Sequence, residues 1–135
     1  MHDRLTPEQR SAHMRRIRKR DTKPEIMVRQ IAHKLGYRFR LHRRDLPGSP
    51  DVVFPRHRKV VFVHGCFWHQ HEGCRLKRQP KSRLDYWLPK LARNVERDVE
   101  ARLNLTKLGW QDLVIWECET KDTAAIEGRL KQFLG

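Results

Sequence analysis

VVFVHGCFWHQHEGC, residues 60–74, runs a short apolar segment straight into a loop crowded with metal ligands. Residues 60–63 have the β-branched and aromatic bias of a buried strand, so the stretch predicts a strand that ends directly in chemistry. Cys66, His71 and Cys74 offer two thiolates and an imidazole, the soft donors that select zinc, and Gly65 and Gly73 let the backbone turn around a small ion. Cys118, the only other cysteine, follows the apolar run 113–116, and a strand there lying near the first would bring a fourth ligand to the same ion. The alternative is that these cysteines are core residues packed beside Phe67 and Trp68. His64 and His69 remain outside the ligand set. They are candidates for acid–base work or phosphate contact, because imidazole changes charge near neutral pH.

The 135 residues suit one domain, a sheet with helices around a single core. Lys and Arg number 30 against 16 Asp and Glu, a formal charge of +14. An enzyme of small metabolites gains nothing from such self-repulsion, whereas a protein that neutralises phosphates gains through counterion release, so nucleic acid is the leading partner. The basic residues are spread along the chain and no apolar run approaches a membrane span, which argues against a membrane partner. Residues 1–20 are polar and basic without the apolar centre of a signal peptide, so a cytoplasmic location is expected. Three cysteines, an odd number, fit a reducing compartment and a metal better than a disulfide framework.

Thr6-Pro7-Glu8-Gln9 carries the signals of a helix start, and the helix it predicts is basic, with Met14 and Ile17 its few apolar residues. Residues 1–20 therefore read as an arm that orders on a nucleic-acid backbone. Thr22-Lys23-Pro24-Glu25 predicts a second capped helix with an apolar stripe of Ile26, Val28, Ile31, Ala32 and Leu35, ended by Gly36. Glu25 serves either as the capping-box carboxylate or as a group pointing into a cleft. Residues 37–41 alternate like a half-exposed strand. Asp51 precedes the apolar Val52, Val53 and Phe54, a placement that suits a strand mouth and makes it a metal-ligand candidate. A turn over residues 55–59 pairs that strand antiparallel with the one at Val60, bringing Asp51 close to His64. Ser82 is a candidate cap before Leu84, Pro89 is expected to break or restart the helix, and Leu91, Val95, Val99 and Leu103 supply its apolar spacing. Residues 110–116 read as a central strand, and Asp122 as the cap of a final helix carrying Ile126, Leu130, Phe133 and Leu134.

With HMRRI, KRDTKPE, LPGSPDVVF, VVFVHGCFWHQH, NVERD and LGWQDLVIWEC in this order, the chain resembles the very-short-patch-repair (Vsr) mismatch endonucleases along almost its whole length. The resemblance implies a restriction-endonuclease-like α/β fold, a central mixed sheet flanked by helices with a structural zinc site. It implies a nuclease that nicks one DNA strand 5′ of the thymine in a T:G mismatch. Asp51 and the backbone carbonyl of Val63 would hold Mg²⁺, as one ion or two. Glu25 would orient water there, His69 would act as general base or phosphate contact, and His64 and Asp98 would support it. Zinc would be held by Cys66, His71, Cys74 and Cys118, a closed shell and hence structural. Phe67, Trp68 and Trp87 match the family's aromatic wedge and Met14 its partner from the minor groove. For Trp87, an aromatic on a helix, simple packing is the alternative.

The chain departs from the family pattern at Val63, where threonine is frequent, at Gln70, which interrupts a histidine run, and in the two residues between His71 and Cys74 where one is usual. Two other functions fit the same residues: a zinc-stabilised nucleic-acid-binding module without catalysis, and a related nicking nuclease of relaxed mismatch or lesion specificity. A single mismatch offers no two-fold symmetry, so a monomer is expected, acting on mismatched double-stranded DNA with mismatch-repair proteins as candidate partners. The resemblance also implies a bacterial, nucleoid-associated protein.

Overall fold

The computed structural model describes residues 22–74, 80 and 82–135; the basic helix expected around Met14 lies outside them. The described elements run α1 (Lys23–Lys34), β1 (Arg40–Leu41), β2 (Val52–Phe54), β3 (Lys59–His64), α2 (Leu84–Lys107), β4 (Gln111–Trp116), a 3-10 helix (Glu117–Lys121) and α3 (Thr123–Leu134). The four strands form one mixed sheet in the order β1-β2-β3-β4, antiparallel except for the parallel pair β3 and β4. The strand expected over residues 37–41 is regular only at Arg40–Leu41, while Tyr37 and Phe39 pack against the core. Among the described strands β4 lies at an edge rather than at the centre. No helix is long and apolar enough to cross a membrane among the described residues.

Side-chain alternation splits β2 and β3 between two cores, as the period of a strand requires. Val52, Phe54, Val61 and Val63 face α1 and α3, joining Val28, Ile31, Ala32, Ile126, Leu130 and Leu134. Val53, Val60 and Phe62 face the other way, with Leu46, Leu105 and Trp110. The sheet is thus covered on both faces, which explains why its strands read as continuous apolar runs. Asp122 caps α3 as expected, accepting from the Ala125 backbone N–H at 3.1 Å.

Helix α2 departs from the sequence reading in three ways. Its N-cap is Arg83, in left-handed conformation at φ 55°, and not Ser82. Pro89 lies inside the helix without breaking it; the residue is exposed, so solvent can satisfy the Asp85 carbonyl that proline leaves without a donor. The face was also misassigned. Leu91 is buried as expected, but Val95, Val99 and Leu103 point to solvent, and the buried apolar residues of the helix are Trp87, Leu91, Ala101 and Leu105. Between Leu91 and Ala101 the inward positions are Asn94 and Asp98, both partly buried and lining a cleft. In α1, likewise, Ile26 is exposed.

These assignments carry a direct test. Leu105→Ala empties a fully buried position and should lower unfolding free energy by about 2–5 kcal/mol, whereas Leu103→Ala should change it by less than about 0.5 kcal/mol. Urea denaturation of the two variants, compared at unchanged slope, measures both.

Candidate active site

The site lies where the strands end. In the parallel pair His64 stands opposite Trp116, so Cys66 and Cys118 each follow two residues beyond the same end of the sheet. On the other side of β3, the antiparallel register pairs Val52 with Val61, which places Asp51 at that end too. A cleft of about 780 Å³ opens there, lined among others by Glu25, His42, Asp51, His64, His69 and Asp98. Gly48 holds one wall in place: at φ 77° it packs so closely that a Cβ would lie 2.8 Å from that of Ala101 and 3.1 Å from the Phe62 ring.

Three donor groups surround this end. The first is Cys66, His71, Cys74 and Cys118, whose ligand atoms all lie within 4.8 Å of one another. The Nδ1 of His71 is 3.7 Å from Cys66 Sγ and 3.5 Å from Cys118 Sγ. A tetrahedral zinc with sulfur at about 2.3 Å and nitrogen at about 2.0 Å has S···N edges of about 3.5 Å, so the donors fit. The extra residue between His71 and Cys74 is taken up by a turn in which Gly73 adopts φ 69°. None of the three cysteines forms a disulfide, and burial pushes the Cys66 thiol up to about 12. A bound dication would reverse that preference and release protons.

The second group is His64, His69 and Asp98. Asp98 Oδ2 lies 2.6 Å from His69 Nδ1. The His64 and His69 rings stack face to face, with centroids 3.8 Å apart and planes 4° from parallel. Burial, reinforced by the neighbouring His69, pulls the His64 imidazole down to about 3, so it is neutral at physiological pH. Trp116 ties this pair to the thiol cluster, stacking on His71 at 4.1 Å and meeting the edge of His64 at 5.1 Å. Asn94 of α2 donates to the Trp68 carbonyl at 3.4 Å, fastening the same loop.

The third group is Glu25, Asp51 and a residue the sequence reading missed, His42. Thr22 makes no side-chain cap bond, so the expected capping box is not formed. Glu25 instead turns into the cleft, accepting from Arg29 at 3.2 Å with His42 Nε2 at 3.8 Å. Asp51 Oδ2 accepts the Val63 backbone N–H at 2.7 Å. Burial pushes the Asp51 carboxyl up to about 7; the Val63 hydrogen bond opposes this and the charge of Glu25 adds to it. Two carboxylates crowded together away from water suit a hard divalent cation, so these residues fit Mg²⁺. No spacing rule marks His42, which lies in a loop of the sequence; the ladder places it.

Phe67, Trp68 and Trp87 form one aromatic cluster, with ring centroids 5.1–5.9 Å apart. Trp87 is buried as its floor, while Phe67 and Trp68 are half-buried at the cleft. Met14 lies outside the described residues.

Residues 2–75 match a family model described as DNA mismatch endonuclease Vsr. The chain is 54% identical to the Type II nicking enzyme V.XorIIP of Xanthomonas oryzae pv. oryzae, over 99% of this chain and 98% of the relative. It is 40% identical to the Type II nicking enzyme V.NmeAIP of Neisseria meningitidis serogroup A, over 99% and 95%. To the DNA mismatch endonuclease Vsr of Escherichia coli K12 it is 42% identical, over 97% and 78%.

The buried neutral His64 makes stability depend on pH. Unfolded, this imidazole gains its proton near 6.5; folded, only near 3. The unfolded state therefore binds more protons between those values, and the contribution is complete above about 6.5 and lost as pH falls toward about 3. Between pH 6.5 and 5 the unsubstituted protein should lose stability faster than His64→Gln, by on the order of 1 kcal/mol per pH unit, in paired denaturant titrations.

Proposed function

The chain belongs to the DNA mismatch endonuclease Vsr family, and from that premise we propose that it nicks one strand of a duplex 5′ of the mispaired thymine in a T:G mismatch, using Mg²⁺. It is a DNA endonuclease with a mixed four-stranded α/β fold. The observation that carries the finer reading is the meeting of two chemistries in one cleft, lined both by the carboxylates of Glu25 and Asp51 and by the His69–Asp98 pair. A nucleic-acid-binding module without catalysis has no use for that arrangement. We take residues 1–135 as one endonuclease domain, 1–20 as its DNA-binding arm with Met14 the inserted side chain, and the active unit as a monomer in the bacterial cytoplasm.

Asp51 and the Val63 carbonyl would hold Mg²⁺ at the strand mouth, and Glu25, grouped with Asp51 in the same cleft, would join them as a ligand rather than only orient water. When bound, the ion neutralises charge developing on the scissile phosphate and makes water a better nucleophile. His69 uses Nδ1 on Asp98, which leaves Nε2 to take a proton from the attacking water. Asp98 fixes the ring's orientation and stabilises the charge it acquires, as the carboxylate of a catalytic triad does. His64, neutral and stacked on His69, braces the ring without competing for the proton. Cys66, His71, Cys74 and Cys118 would hold a structural zinc that keeps the loop bearing His69 in register. Phe67 and Trp68, packed on Trp87, would enter the base stack. Unstacking costs roughly a few kcal/mol per step and least where pairing is already defective, so insertion itself selects mismatches.

A second reading has its own support, since relatives at 54% and 40% identity are named for nicking rather than for a mismatch. It keeps the same chemistry with another or a broader set of mismatches.

Two measurements test these readings. With Mg²⁺, nicking of otherwise identical duplexes carrying each mismatch should favour T:G; equal rates on several mismatches would establish the broader specificity. Asp51→Ala should lower nicking by at least about a thousandfold while mismatch binding stays within a few fold, because several kcal/mol of charge stabilisation is removed. Undiminished nicking by that variant would remove Asp51 from the mechanism.

A further inference from the structure

We propose that His42 is a third side-chain ligand of the cation site formed by Glu25 and Asp51, and that its nitrogen gives the site a preference for a first-row transition ion such as Mn²⁺ over Mg²⁺. The inference deepens the divalent-cation reading of that site and rests on it.

The backbone places the residue. Leu41 pairs with Val52, and one step further out the His42 N–H donates to the Asp51 carbonyl at 3.3 Å, so the ladder itself sets position 42 opposite position 51. His42 has φ 50°, in the left-handed region that histidine enters more readily than most side chains, and this turns the chain out of the ladder at the level of Asp51. The ring is not on the surface: its side chain is 15% exposed, against 10% for Glu25.

Its chemistry is aimed at the carboxylates. The ligand atoms of Glu25, His42 and Asp51 lie within 4.8 Å of one another. Ligands of one six-coordinate ion with bonds of about 2.1 Å lie about 3–4.2 Å apart, so closing this set takes shifts of under about an ångström. Arg29 Nη2 is 3.2 Å from Glu25 Oε2 and 3.0 Å from His42 Nε2; an imidazole nitrogen has a single lone pair, so an ion bound through Nε2 takes the place of this guanidinium N–H between the two donors. Magnesium prefers oxygen and has little affinity for an imidazole, while transition ions gain from a nitrogen donor in increasing order along the first row.

The test uses the 135-residue chain loaded with zinc, titrated separately with Mn²⁺ and Mg²⁺ by calorimetry, together with His42→Asn, whose residue tolerates the left-handed backbone, and Asp51→Ala. His42→Asn is expected to weaken Mn²⁺ binding by about tenfold or more and Mg²⁺ binding by less than about threefold. The electron-spin-echo spectrum of Mn²⁺ in the unsubstituted protein is expected to show coupling to an imidazole ¹⁴N that is lost in His42→Asn. Absence of that coupling in the unsubstituted protein, its survival in His42→Asn, or an unchanged Mn²⁺ to Mg²⁺ ratio would overturn the assignment of His42. Failure of either ion to bind, or binding indifferent to Asp51→Ala, would instead bring down the cation site on which the assignment rests.

Discussion

The parallel register of β3 and β4 is the constraint on which the rest of the molecule depends. With His64 opposite Trp116, the loop after β3 and the 3-10 helix after β4 leave the sheet at the same level. Cys66 and Cys118 then meet, although they are far apart in the chain. One residue of slip would turn His64 and Trp116 to the opposite face and separate the sulfurs, because strand side chains alternate. The antiparallel neighbour obeys the same geometry from the other side, so that Asp51 and His42 arrive where β3 ends.

Charge is distributed with a purpose in this arrangement. The chain as a whole is strongly basic, yet its cleft gathers Glu25, Asp51 and Asp98. A positive exterior attracts the phosphate backbone without sequence preference, while the carboxylates within offset the repulsion that a basic protein exerts on a divalent cation. Burial keeps His64 uncharged beneath its stacked neighbour His69, the ring with a carboxylate partner in Asp98.

Much of this was legible in the residues. The sheet read clearly because strands covered on both faces are uninterrupted apolar runs, and the ligand cluster read clearly because soft donors seldom crowd together except around a metal. Helix α2 was misread for an instructive reason. Its inward face carries Asn94 and Asp98 where a core helix would carry leucine, so the apolar periodicity jumped to Val95, Val99 and Leu103 on the outside. The polar lining of the cleft interrupts the apolar pattern there. Glu25 looked like a cap because capping boxes and clefts both favour an acid at a helix start, and only the positions of Arg29 and His42 decide between them. His42 itself was invisible, since a loop histidine has no periodicity and its partner Asp51 is set by strand pairing.

The dependence of the cleft on the thiol cluster can be measured most directly as single-turnover nicking of a T:G duplex, in Mg²⁺, by protein from which zinc has been extracted and then restored. Loss of nicking by orders of magnitude on extraction, and its recovery with one zinc per chain, is the expected result. A zinc-free chain that nicks at the full rate would show that the loop bearing His69 is held without an ion in the four-ligand cluster, and would contradict the structural-zinc role proposed for it.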